Sequence, residues 1–324
     1  MHGLGSQGNV WVDKYGLPAK LQQELNLEFG GILSLTDKNR ITVSPIDASG
    51  YDVFAVSLSD PYGSIPVLAG ELERFVKYVR KITRAKRVTL VGFSMGGVVA
   101  RQYVVDHPRN HHVHRLITIA SPHQGSGLAL IGDILAWAPD NLEDDIAKGI
   151  NWVAKDVINL EGFEVTSAAI SDLRPPRSHS NDALFPGETY LYQLNNKPHP
   201  LDIEYVCVIV RVGLQSLIDD AMEEMVKKLY NLEYDDGNKT VLAVKITTIL
   251  SGTLSKLISA LPQGKIDLLG STDGVVSSTS QDLRQLPFFQ NPEIVTAYEI
   301  EGIPHLEACV EHEFMIEALG FDHP

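Results

Sequence analysis

The stretch KRVTLVGFSMGGVVARQYVVDHP, residues 86–108, decides what fold to expect. An apolar run, Val88 to Val91, ends at Gly92-Phe93-Ser94-Met95-Gly96, and a helix-like pattern begins at once. A strand that runs straight into a helix turns so sharply that its corner residue takes an unfavourable backbone conformation. Glycines two before and two after remove side chains that would collide there. The corner residue then stands clear of the sheet. The N–H of the next residue lies at a helix N-terminus, where negative charge is stabilised. Ser94 is therefore the candidate nucleophile, and the Met95 N–H a candidate donor to an oxyanion. A Gly-x-Ser-x-Gly string alone is a weak signal; the strand before it and the helix after it give it weight. It is not a phosphate loop, because no Gly-Lys-Ser/Thr ending follows and Met95 would crowd a dinucleotide turn.

Working outward, residues 51–58 (YDVFAVSL) read as a strand between Gly50 and SDPYGS. A helix is predicted from near Pro66, with Leu68, Leu72, Phe75, Val76, Val79 and Ile82 on one face. Val88 to Phe93 is apolar except for Thr89, as in a strand covered on both faces. A helix over 95–106, strands over 114–120, 205–213 and 293–300, and a last helix from about His305 to Leu319 follow the same reasoning. GGILSLTDKNRITVSP (30–45) reads as a β-hairpin around a polar turn. Strands alternating with helices predict an α/β fold with a mainly parallel sheet and flanking helices. Two helical stretches interrupt the rhythm: 125–190, containing the apolar LALIGDILAWA (128–138), and 214–262. Both are read as insertions over the edge of the sheet, so 1–124 and 191–324 form the core and 125–190 a separate cap.

The 324-residue chain is 44% hydrophobic and 21% charged, ordinary for a globular protein. Its formal net charge of -14 argues against nucleic acid as a partner, which requires a basic face. The one dense basic cluster, RKITRAKR (80–87), reads as the solvated end of a helix. Cys207 and Cys309 lie far apart in apolar surroundings and read as buried free thiols. No stretch reaches the roughly 18 apolar residues of a membrane span, and MHGLGSQGNVW has no signal-peptide pattern, so a cytoplasmic location is expected.

A serine hydroxyl is a poor nucleophile unless a base takes its proton, and the base needs orienting. Behind a nucleophile on such a turn, the acid and then the histidine follow in chain order. His305, in EGIPHLEAC just past the last predicted strand, is the expected base; the alternative is a histidine that merely caps a helix. Asp273, in the Gly-rich turn of LLGSTDGVVSSTS, is the expected acid, although Ser-Thr-Asp-Gly is also ordinary turn chemistry. Asp267 and the pair Asp219 and Asp220 are its competitors. His123, in ITIASPHQGSG, precedes the acid and is expected to line the pocket instead. HPRNHHVH (107–114) has only Asp106 nearby to complete a ligand set and reads as a solvated loop, so no metal is expected.

HGLG (2–5), GFSMGGVVAR (92–101), TIASPHQGS (118–126), TDGVV (272–276) and PHLE (304–307) together resemble the α/β-hydrolase superfamily. Within it they are similar to bacterial lipases and to the relatives that include lecithin:cholesterol acyltransferase and GPI-inositol deacylases. The resemblance implies that the residue after His-Gly, here Leu4, supplies a second oxyanion N–H facing Met95. It implies a lipase or esterase acting on an ester of an apolar acyl chain, without a cofactor. It also implies that 125–190 is a lid above the nucleophile. Leu128 and Trp137 would then meet the acyl chain or, transiently, a lipid surface, unless that helix is simply buried against the body. An acyltransferase or thioesterase with the same residues, or a non-catalytic binding protein on this scaffold, are the alternatives. One departure stands out. In the family an apolar strand runs into His-Gly, whereas here only Met1 precedes His2, so one edge of the elbow strand is expected to lack a neighbour. Some bacterial lipases hold calcium near the histidine; Glu307 alone does not make such a site.

Overall fold

The hairpin foreseen at 30–45 is present. β1 (Phe29–Leu35) and β2 (Ile41–Ser44) pair antiparallel, and β3 (Val53–Val56) joins the other edge of β1 in parallel. The computed structural model of the chain describes residues 1–45, 50–126, 129, 167–176, 188–212, 273, 275–289, 294–309 and 312–320. A second sheet, wholly parallel, orders β4 (Val88–Phe93), β5 (Val113–Ile119), β6 (Glu204–Arg211) and β7 (Val295–Glu301) side by side. Ahead of these strands run α1 (Val10–Asp13) and α2 (Leu17–Leu25). The long α3 (Ile65–Thr83) links β3 to β4, and α4 (Met95–Asp106) links β4 to β5. Later helices are α5 (Ala168–Asp172), α6 (Tyr190–Asn195), α7 (Ser278–Gln281) and α8 (His312–Ala318).

Helices cover both faces of the parallel sheet, which is why the middle of β5 and of β6 is apolar. β6 shows the division. Tyr205, Cys207 and Ile209 join the core that α3 and α4 close, while Val206, Val208 and Val210 join the core that α1, α2 and α8 close. α3 begins with Pro66 in its first turn and buries Leu68, Leu72, Phe75 and Val76, each worth about 1.5–3 kcal/mol on removal from water. α5 docks on its start, where Asp172 Oδ2 accepts the Ile65 N–H at 2.8 Å. Cys207 and Cys309 are buried free thiols, as read from their surroundings.

The two sheets do not join edge to edge. Between β3 and β4 lies a cavity of about 560 Å³, floored by Leu72 and Val79 of α3 and roofed by Leu21 of α2 and Met315 of α8. Met1 sits at one end of it: its amino group donates to Val91 O at 2.7 Å, and Phe93 N–H donates to Met1 O at 3.1 Å. A residue bonded to both neighbours of Gly92 in this way follows the parallel ladder. Among the described residues, the edge of the elbow strand is therefore paired with Met1 alone.

Two boundaries differ from the sequence reading. The strand expected over 51–58 is only Val53–Val56. The last helix, expected to start at His305, is instead a 3₁₀ turn over His305–Glu307 followed by α8. The His305 N–H donates to Asp273 O at 2.9 Å. Leu128, Trp137, the apolar segment 128–138 except Ala129, and the insertion 214–262 lie outside the described residues.

Candidate active site

Ser94 stands at the junction of β4 and α4 with φ 53° and ψ -127°, a conformation that costs a non-glycine residue about 1–3 kcal/mol. The corner closes only because its flanking residues lack Cβ atoms. A Cβ on Gly92 would lie 2.5 Å from Gly97, and one on Gly96 would lie 2.5 Å from His2 O. The N-terminal segment is thus pressed against the start of α4.

His305 reaches Ser94 from the turn after β7, with Nε2 2.9 Å from Ser94 Oγ. Its Nδ1 lies 2.6 Å from Asp273 Oδ2. Asp273 Oδ1 accepts the Val275 and Val276 N–H groups at 2.9 and 2.7 Å. A buried carboxylate that accepts these bonds is acceptor-only, so the hydrogen sits on His305 Nδ1 and Nε2 is left to accept from the serine. Asp273 is 1% exposed, His305 5% and Ser94 7%, so the relay runs almost entirely out of water. The Phe93 ring packs against the His305 imidazole at 5.0 Å between centroids. Asp267, Asp219 and Asp220, the competing acids, fall outside the described residues.

The main-chain N–H groups of Leu4 and Met95, the expected oxyanion donors, have no acceptor among the described residues. Met95 opens α4, so its N–H is one of the donors a helix leaves unsatisfied. The loop that carries Leu4 is held at both ends: Gly5 N–H donates to Pro61 O at 3.2 Å, and His2 is buried beneath β3. Leu58 N–H donates to His2 Nε2 at 3.0 Å, which places the imidazole hydrogen on Nδ1, 2.9 Å from Gly3 O. Burial lowers the His2 pKa to about 4, so it stays neutral and keeps that acceptor.

His123, expected at a pocket wall, is instead fully buried. Its Nε2 lies 3.2 Å from Thr118 Oγ1, and burial, then the charge on Arg101, hold its pKa well below the usual value. It belongs to a network behind the elbow. Arg101 Nη2 donates to Asn195 Oδ1 at 2.6 Å, and Asn195 Nδ2 donates to His123 O at 3.0 Å. The histidines of 107–114 turn to separate carboxylates, His107 to Glu73 and His111 to Asp202, each at 3.1 Å.

A family model described as the alpha/beta hydrolase fold matches residues 29–165. With the strand order and the elbow above, this settles the architecture. The chain has the α/β-hydrolase fold. No curated protein matches its sequence. Among solved structures, the Bacillus licheniformis lipase BlEst2 in its mature form is 16% identical with a TM-score of 0.52, the alignment covering 98% of this chain and 89% of that one. The propeptide form gives 15% identity and the same TM-score of 0.52, and this chain spans about half its length, 49%. EstA from Clostridium botulinum is 14% identical over 98% of this chain and 85% of that one, with a TM-score of 0.49.

Two residues of the hydrolase site escaped the sequence reading. His2 was taken only as part of a motif, with no sign that it anchors the loop on Leu58. Gln281, whose Nε2 lies 3.0 Å from Asp273 Oδ2, sits in SSTSQDL, a string with no local mark of function.

Proposed function

We propose that this hydrolase cleaves carboxylic esters of apolar acyl chains through a serine ester on Ser94. The observation that supports this most is the relay from Ser94 Oγ to His305 Nε2 at 2.9 Å and from Nδ1 to Asp273 Oδ2 at 2.6 Å. His305 takes the Ser94 proton as Oγ bonds to the ester carbonyl carbon, and the carbonyl oxygen becomes an oxyanion facing the Leu4 and Met95 N–H groups. Each such donor is worth about 3–4 kcal/mol to the transition state. The alcohol leaves with the proton from His305. Water, deprotonated by the same imidazole, then attacks the acyl carbon, and Ser94 regains its proton. Asp273 holds the imidazole tautomer throughout and stabilises the imidazolium. On this reading 125–190 is the lid insertion, and Leu128 and Trp137 are candidate substrate-binding residues.

The test is a fluorophosphonate followed by mass spectrometry of the intact protein, run beside a series of p-nitrophenyl esters, acyl-CoAs and alcohol acceptors. The expected result is one adduct, on Ser94, and hydrolysis that Ser94→Ala lowers by about 10⁵-fold or more. An unlabelled Ser94 in folded protein overturns the reading, and preferred transfer to an alcohol over water makes it an acyltransferase.

A further inference from the structure

We infer that Gln281 is a positioning residue for this same reaction: its amide holds Asp273 Oδ2 on the imidazole of His305. The inference rests on the hydrolase reading above and names a group outside the relay on which the relay depends. Gln281 closes α7 and is 1% exposed. Its Nε2 lies 3.0 Å from Asp273 Oδ2, 3.0 Å from Val276 O and 3.1 Å from Val210 O, and its Oε1 accepts the Val210 N–H at 2.8 Å. The orientation of the amide is fixed by these partners. Turned over, it would set Oε1 against three acceptors and Nε2 against a donor, in a place no water reaches.

Asp273 comes from a turn, which by itself is a loose mounting for a catalytic carboxylate. Its Oδ1 is tied to its own turn through Val275 and Val276. The main chain of the turn is held from outside by the His305 N–H on Asp273 O at 2.9 Å and the Ser126 hydroxyl on Val275 O at 3.0 Å, but neither bond fixes the second carboxylate oxygen, which needs a donor of its own. Gln281 supplies it, and its second pair of bonds, to both main-chain groups of Val210, fastens the carboxylate to β6, a central strand of the parallel sheet. Oδ2 thus receives two hydrogen bonds, one from His305 and one from Gln281, at a fixed angle to each other. The amide is neutral. It therefore compensates the carboxylate as a donor without adding a charge that would compete with the imidazolium during turnover.

Two substitutions separate this role from bulk packing. Gln281→Leu removes the donor at every pH. Gln281→Glu keeps the shape, and two carboxylates in one dry site share a proton, so the glutamic acid still donates to Asp273 when the pair is singly charged. Gln281→Glu should approach the parent kcat at low pH and lose activity along a new alkaline limb as that shared proton leaves. Gln281→Leu should lower kcat about 10- to 100-fold with KM within about twofold. In proton NMR the downfield resonance of the His305 Nδ1 hydrogen should persist in the parent, broaden in the leucine variant, and titrate in the glutamate variant. Unchanged kcat and unchanged pH profiles in both variants overturn the inference. So does a pH-independent loss in both that follows a fall in Tm, which marks a purely structural residue. If the parent labels with no fluorophosphonate and turns over no ester, the hydrolase reading fails. The NMR resonance still decides, by its dependence on residue 281, whether Gln281 orients the pair.

Discussion

At the residue scale, the relay was legible because each member carries its own mark in the string. Ser94 sits between glycines at a strand end, Asp273 in a Gly-rich turn, and His305 in a loop after the last strand, in an order that a chain folding into one parallel sheet brings to one edge. Gln281 and His2 carry no such mark, because their partners are fixed by tertiary contact: Val210 is 71 positions from Gln281, and Leu58 is 56 positions from His2. His2 still gives a pH dependence with a definite sign. Burial disfavours the cation and lowers its pKa from the ordinary 6.5 to about 4 in the folded protein, and protonation would remove the acceptor of the Leu58 N–H. Between those values the unfolded chain binds a proton that the native state refuses, so stability rises with pH. It is fully present above about pH 6.5 and is lost as pH falls toward 4, by about 3 kcal/mol from this side chain. Urea midpoints at pH 7.5 and 4.5 should differ more in the parent than in His2→Gln, which does not titrate. Equal differences in the two proteins would remove His2 from the account. His199, whose pKa burial lowers to about 3, adds to the acid sensitivity of both proteins alike.

At the element scale, periodicity found the elements and tertiary bonds moved their ends. α3, β4 and α4 fall close to where the apolar spacing put them. At the C-terminal end a 3₁₀ turn over His305–Glu307 precedes α8, with the His305 N–H on Asp273 O, a tertiary bond the local sequence does not display. The same coupling of elements makes the elbow sensitive to a methyl group. A Cβ on Gly96 would meet His2 O at 2.5 Å and Met1 O at 2.9 Å, main-chain atoms that cannot swing aside. Gly96→Ala should therefore push the 1–5 segment off α4 and carry the Leu4 N–H away from the hydroxyl. The expected outcome is a loss of about 10²–10³ in kcat, the scale of one oxyanion donor, with fluorophosphonate still reaching Ser94 more slowly. A variant with unchanged kcat would place the oxyanion donors elsewhere than Leu4.

At the scale of the whole molecule, the mainly parallel sheet read from the sequence is present as β4 to β7, and the described residues add a three-stranded sheet, with the cavity of about 560 Å³ between β3 and β4. None of Ser94, Asp273 or His305 lines that cavity. It is apolar above and below, and its two side walls are strand edges. Since Phe93 N–H and Val91 O serve Met1, the alternation of a strand turns the main-chain groups of Thr89 the same way, into the cavity. Across from it, Val53 and Ser57 donate toward β1, so Phe54 and Val56 face inward. Protein interiors hold few voids larger than a water molecule, and a space of this size forgoes contacts on every wall. Burial also lowers the Met1 amino group to a pKa of about 5, so it resists the charge it would carry in water. An extended segment joined ahead of Met1 would convert that amine to an amide, continue the parallel ladder along β4 and fill the space. The prediction is that about four or five valine and isoleucine residues fused directly to Met1, a length set by the roughly 3.3 Å rise of a strand, raise Tm by about 5 °C or more. Proline two positions ahead of Met1 should cancel the gain, because that residue must donate to Thr89 O, and alternating aspartates should cancel it by charging both covered faces. Protection of the Val91 amide from hydrogen exchange should rise with the apolar extension alone. If all three extensions leave Tm and exchange where they are, the space beside β4 does not take a strand.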